Sequence, residues 1–135
     1  MITLADYLGK WQYSADVNDV VVGNAQNLLS KVNTLLDRYE TEGNVLQNNP
    51  ATGTLVSGEE FGGFRPQECP IGAPQSAHKQ GRAVDIYDPR GSLDDWLNDT
   101  LLAIYGLYRE APESTHGWCH LTDRAPGSGR RTFNP

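Results

Sequence analysis

Hydrophobic positions change period along this chain, and each period predicts an element. From about Asp19 to Glu40, Ala25, Leu28, Leu29, Val32, Leu35, Leu36 and Tyr39 recur at i, i+3, i+4 and i+7. Asn24, Lys31, Asp37 and Arg38 fall between them. This is the pattern of an amphipathic helix laying one face on a core, with Glu42-Gly43-Asn44 as its stop. A second helix is expected from Ser92, with Asp95 completing a variant capping box. Its stripe is Leu93, Trp96, Leu97, Leu101, Ile104 and Tyr105, and Gly106 ends it. Ala83–Tyr87 alternates instead: Val84 and Ile86 face one way, Asp85 and Tyr87 the other. Trp118–Thr122 alternates too, setting His120 on the face away from Cys119 and Leu121. Leu107-Tyr108-Arg109 reads as the start of a strand. Thr54–Val56 and Gly63–Arg65 are short strand candidates inside a loop-rich stretch, 44–74. Leu4, Tyr7, Leu8 and Trp11 are expected to pack within the molecule, and the turn-rich tail from Ala125 to Pro135 to wrap its surface. The order of elements predicts an α+β domain, a small antiparallel sheet flanked by two main helices.

A length of 135 residues fits a single domain, 1–135. It divides into a helical segment over 1–43, a core over 44–123 and a tail over 124–135. With 38% apolar residues and a mean hydropathy of −0.53, the chain is a polar globular mixture. No run of 18 apolar residues exists, which excludes a membrane-spanning helix. The first twenty residues lack the basic start and apolar stretch of a secretory signal, so synthesis in a cytosol without an export address is expected. A net charge of −6 argues against nucleic acid as a partner. Residues 1–64 hold three basic and eight acidic side chains, net −5; residues 65–135 hold eight and nine, net −1. An ordinary mixed surface accounts for this, as does a groove in the second half that holds anionic groups. Cys69 and Cys119 have no CxxC partner, which excludes a thiolate zinc knuckle; free, buried thiols are expected.

All three histidines, His78, His116 and His120, lie in the second half. The chain can reverse at Gly81 and bring His78 near Asp85. An acid inside an apolar strand is costly unless paired, hydrogen-bonded or metal-bound. Imidazole and carboxylate are natural zinc ligands, and His120 is the best third. A His₂Asp set leaves one position of a tetrahedral ion for a water, which the metal would acidify while polarising a carbonyl. The plainer reading is that Asp85 caps a turn and the histidines are ordinary.

The string Ser76-x-His78-x-x-Gly81-x-Ala83-x-Asp85 resembles the first zinc motif of the zinc D-Ala-D-Ala carboxypeptidase and L-alanyl-D-glutamate endopeptidase family, whose fold the Hedgehog amino-terminal domain shares. Trp118-Cys119-His120 resembles the family's late strand, and Gly63-Phe64-Arg65-Pro66 its upstream Gly-aromatic-Arg segment. The resemblance covers roughly residues 54–123. The helix over 19–40 and the tail Gly129-Arg130-Arg131-Thr132-Phe133-Asn134-Pro135 are similar to those of short phage-encoded members.

The resemblance implies a peptidase acting on peptidoglycan stem peptides, with zinc (Zn2+) held by His78, Asp85 and His120. Arg65 would hold the substrate's carboxylate or the developing oxyanion; its alternative is a loop-bracing salt bridge. Ser76 would orient the first histidine or touch substrate; its alternative is a turn hydroxyl. The family's general base, an acid three residues before the last histidine, is here replaced by Gly117. His116, Glu113 and Glu110 are the nearby candidates, with His116 or Glu113 expected to take the proton. Asp123 reads as a supporting or turn residue. The segment Val56–Gly63 is longer and more acidic than the family's strand into the arginine. Two rivals stand beside the enzyme. One is a metal-binding structural component of a phage virion, inactive because of Gly117 and contacting virion neighbours. The other is a metal-free module.

Overall fold

The computed structural model describes residues 1–135. The long helix, α2, spans Asp19–Thr41, and the Asn18 side chain caps it by accepting from the Val21 N–H at 2.9 Å. Its buried face carries the seven expected apolar residues and Val21. A short helix, α1 (Leu4–Leu8), precedes it behind a Thr3–Asp6 capping box. Tyr7 and Leu8 are buried, Leu4 and Trp11 pack against the core, and the Tyr7 hydroxyl donates to the Ala83 carbonyl at 2.9 Å. The N-terminal segment therefore shares one apolar core with the sheet, a cluster running from Ile2 to Leu121. Both cysteines are free and buried.

The expected second helix is two. Helices α3 (Ser92–Trp96) and α4 (Asp99–Tyr105) are separated at Leu97, whose ψ is 147°, and Asn98 caps α4 by accepting from Leu101 N–H. The Ser92–Asp95 capping box does not form. The buried Asp88 carboxylate instead accepts from the N–H groups of Leu93 and Asp94 at 3.0 and 3.1 Å.

The sheet has four strands: β1 (Ala83–Asp88), β2 (Tyr108–Glu110), β3 (Gly117–Thr122) and β4 (Thr132–Phe133), in the order β1-β3-β2-β4. The first three are antiparallel neighbours, but β4 runs parallel to β2, so the sheet is mixed, not purely antiparallel. The tail thus ends in the sheet instead of wrapping the surface. Thr54–Val56 and Gly63–Arg65 are not strands. Thr54–Val56 meets the free edge of β1 through an isolated bridge, Val56 to Ile86, and Gly62 adds its carbonyl to Asp85 N–H at 2.6 Å, while Gly63–Arg65 bonds instead to the carbonyls of Tyr7 and His78 through Phe64 and Arg65 N–H. Edge donors are satisfied without a full strand.

Candidate metal centre

The alternation of β1 and β3 turns apolar side chains down and polar ones up. Val84, Ile86, Cys119 and Leu121 are fully buried beneath the sheet. Asp85 and His120 rise from its other face as direct cross-strand partners. His78 arrives from a 3₁₀ turn over Ala77–Gln80, which Gly81 ends with φ 74°. The three side chains offer ligand atoms that all lie within 4.8 Å of one another.

Both imidazoles aim at one carboxylate oxygen. His120 Nδ1 lies 2.8 Å from Asp85 Oδ1, and His78 Nε2 lies 3.4 Å from the same atom. His78 Nδ1 donates to the Gly63 carbonyl at 2.7 Å, which places its proton there and leaves Nε2 facing the carboxylate. A lone pair facing a carboxylate needs a proton or a cation between them. His78 and Asp85 are 3% and 6% exposed, and a charged ring at that depth is expensive. Ligands about 2.0–2.2 Å from a tetrahedral ion stand about 3.3–3.6 Å apart. The 3.4 Å between His78 and Asp85, the carbonyl-fixed histidine and the two-nitrogen, one-oxygen donor set fit a divalent ion, and the 2.8 Å hydrogen bond between His120 and Asp85 is the contact an ion would open. Burial would raise the Asp85 carboxyl, but the electrostatic pull of the adjacent His78 ring and the hydrogen bonds from His120 and His78 outweigh it and hold the group well below the usual carboxylate range.

The cluster opens on a cavity of about 460 Å³, a volume suited to a small ligand. Arg65 lines it, with Nε donating to the Phe61 carbonyl at 2.8 Å and Nη2 lying 3.4 Å from Asp85 Oδ2. Arg65 is therefore both a brace and a wall of the cavity. Ser76 also lines the cavity, but His78 is oriented by Gly63, not by the serine hydroxyl. The loop bearing Gly72 and Ser76 is held from inside by Lys79. Buried to 7% exposure, Lys79 donates from Nζ to the carbonyls of Gln67, Cys69 and Gly72 at 3.3, 2.9 and 3.3 Å.

His116 and Glu113 are not brought to the cluster. His116 lies beyond Gly117, and Gly117 pairs with Asp88 at the far end of β1. His116 lines a separate depression with Arg90 and Asp94, and Glu113 sits exposed in a 3₁₀ turn. The carboxylate that does enter the cavity is Glu110. Strand β2 pairs Tyr108 with Thr122 and Arg109 with Leu121, so the next step of that register sets Glu110 opposite His120. Glu110 in turn pairs with Phe133. Asp85, His120, Glu110 and Phe133 thus form one row across four strands, on one face. Burial raises the Glu110 carboxyl, with His120 pulling the other way. Gly117 has φ 101°, a backbone that L side chains rarely adopt, so an acid there would be strained. Asp123 receives Arg82 Nε at 2.9 Å and braces the end of the sheet.

Comparison with known proteins finds no matching family model, no matching curated protein and no matching solved structure. No helix is long and apolar enough to cross a membrane.

Proposed function

We propose that the chain is a zinc-dependent peptidase that hydrolyses stem peptides of bacterial peptidoglycan, phage-encoded and acting on the cell wall. The observation that carries this reading is the row itself: a His₂Asp cluster on the floor of an open cavity, with a carboxylate on the adjoining strand. A divalent ion bound there supplies Lewis acidity, acidifying a water and polarising a carbonyl. Glu110 accepts the proton of the attacking water on its carboxylate and returns it to the leaving amine. Burial raises its carboxyl, which strengthens its hold on a proton taken from the water. Arg65 stabilises negative charge beside Asp85. His78 and His120 stay in place because Gly63 and the β1–β3 pairing hold them.

A second reading is favoured by Gly117, which stands where the resembling family carries its acid. On that reading the chain keeps its metal and serves as a structural component of a phage virion, bound to virion neighbours. Amine release from purified cell walls separates the two. With the zinc-loaded protein, His120→Ala and Glu110→Gln are expected to lose at least about a hundredfold in rate. Glu110→Gln should keep its zinc, and Glu113→Ala and His116→Ala should keep their rates. A wild type that binds zinc but releases nothing from several wall chemotypes overturns the enzyme in favour of the structural component.

A further inference from the structure

The cavity is electrically lopsided. On the β2–β4 side stand Glu110 and Phe133; on the opposite side, against the loop 72–76, stand Arg65 and Arg124. Two guanidinium groups on one cavity are notable in a chain of net charge −6. Arg65 Nη1 and Ser76 Oγ both lie against Gly72. Arg124 meets the other end of that loop, with Nη1 donating to the Gln75 carbonyl at 2.6 Å and to Gln80 Oε1 at 2.8 Å. Its backbone N–H donates to Thr122 Oγ1 at 3.1 Å, fixing where the side chain starts.

These bonds use one nitrogen of three. Arg124 Nε and Nη2 have no acceptor in the chain, and Arg124 has no carboxylate partner. Arg65 is differently placed, with Nε and Nη2 already directed at Phe61 and Asp85. A half-buried guanidinium that is braced at one corner and open along its fork is a receptor for a planar anion. We infer that Arg124 is a specificity-determining residue that selects a peptide bearing a free carboxylate on the side facing loop 72–76. Arg65 is left to the charge beside the cluster. The polarity also sets the direction of the bound peptide, since Glu110 repels a carboxylate on its own side. The placement of the scissile bond rests on the peptidase reading, but the preference for an anion is a property of binding alone.

The test is therefore read without turnover. Calorimetry measures binding of a stem tetrapeptide with free carboxylates, and of the same peptide fully amidated, to the protein with and without Zn2+. The wild type is expected to favour the free acid by at least about tenfold, the scale of a charge-assisted bidentate contact. Arg124→Gln should cut that preference to within about threefold while leaving zinc uptake unchanged, and Arg124→Lys should restore part of it. Gln80→Met removes a brace but keeps the charge, and should keep most of the preference. A wild type that binds both peptides equally, or neither, overturns the inference. So does an Arg124→Gln variant that keeps the wild-type ratio. Binding with the expected preference but no hydrolysis counts against the peptidase alone.

Discussion

Zinc is expected to raise the melting temperature of this chain by about 10 °C, and two of its three histidines are required. His78, Asp85 and His120 are scattered along the sequence and meet only when β1 pairs with β3 and the 3₁₀ turn docks over them. The unfolded chain has no CxxC pair to compete for the ion. Binding to the native state alone adds about 2.7 kcal/mol when free zinc is a hundredfold above Kd. With an unfolding entropy of about 2.1 cal/mol/K per residue, a chain of 135 residues has about 280 cal/mol/K, and the quotient is about 10 °C. Calorimetric melting at pH 7.5, after chelation and again after zinc is restored, measures it. His78→Ala and His120→Ala should abolish the increment; His116→Ala, in its separate depression, should leave it whole. The increment should shrink as pH falls, because metal binding displaces protons from its ligands. A melt that none of zinc, cobalt, nickel and manganese shifts from the chelated value, or an increment lost in His116→Ala, would refute the convergence of His78, Asp85 and His120 on one cation.

Two further outcomes follow from single contacts. Burial raises the Glu110 carboxyl, so its charge costs stability above the ordinary carboxylate range, and the cost is relieved as pH falls through the folded value. Metal-free Glu110→Gln should therefore melt above wild type at pH 7, with the gap closing towards about pH 4; a lower melt at pH 7 would mean that the charge is paired after all. A Cβ at Gly63 would overlap the backbone carbonyl of Tyr7, displacing the carbonyl that receives His78 Nδ1–H. Gly63→Ala is accordingly expected to weaken zinc binding by about 10–100-fold, read by calorimetric titration, and unchanged affinity would remove Gly63 from the centre.

The sequence made legible whatever depends on local period. Helix α2 carries eight buried positions on one stripe, and both strands that hold ligands alternate cleanly. What it hid depends on register or on long-range pairing. Leu93, Leu97 and Leu101 continue one stripe across the break at Leu97 because both short helices face the same core, so periodicity alone joined them, whereas Ile104, expected on that stripe, is exposed; Asn98 before Asp99 was the signal of a new cap. Strand β4 is only Thr132–Phe133, too short for any period, and its parallel partner lies more than twenty residues away. His116 attracted attention by closeness in sequence. An extended chain advances about 3.3 Å per residue, so four residues carry it about 13 Å from His120. Glu110 is ten residues from His120 in sequence yet one strand away in space. Glu110 stood among the three nearby candidates, and extending the Leu107–Arg109 strand by one residue and pairing it with β3 sets it ahead of His116 and Glu113.

The division of labour in the site follows from where each residue is anchored. Asp85 and His120 project from adjacent strands whose other faces are fully buried, so neither can move without opening the core. The ligand set is thereby fixed by the most rigid part of the molecule. The groups that line the cavity above the cluster are held differently: Arg65 and Ser76 lie along a loop that Lys79 ties down through three carbonyls, and Phe133 sits on a two-residue strand. Loops and short edges tolerate change that a core strand does not. On the proposed peptidase reading, substitutions in 66–76 or in the tail therefore alter which peptide is accepted while leaving the candidate cation site intact, whereas a substitution beneath the sheet, at Ile86 or Leu121, disturbs Asp85 and His120 first.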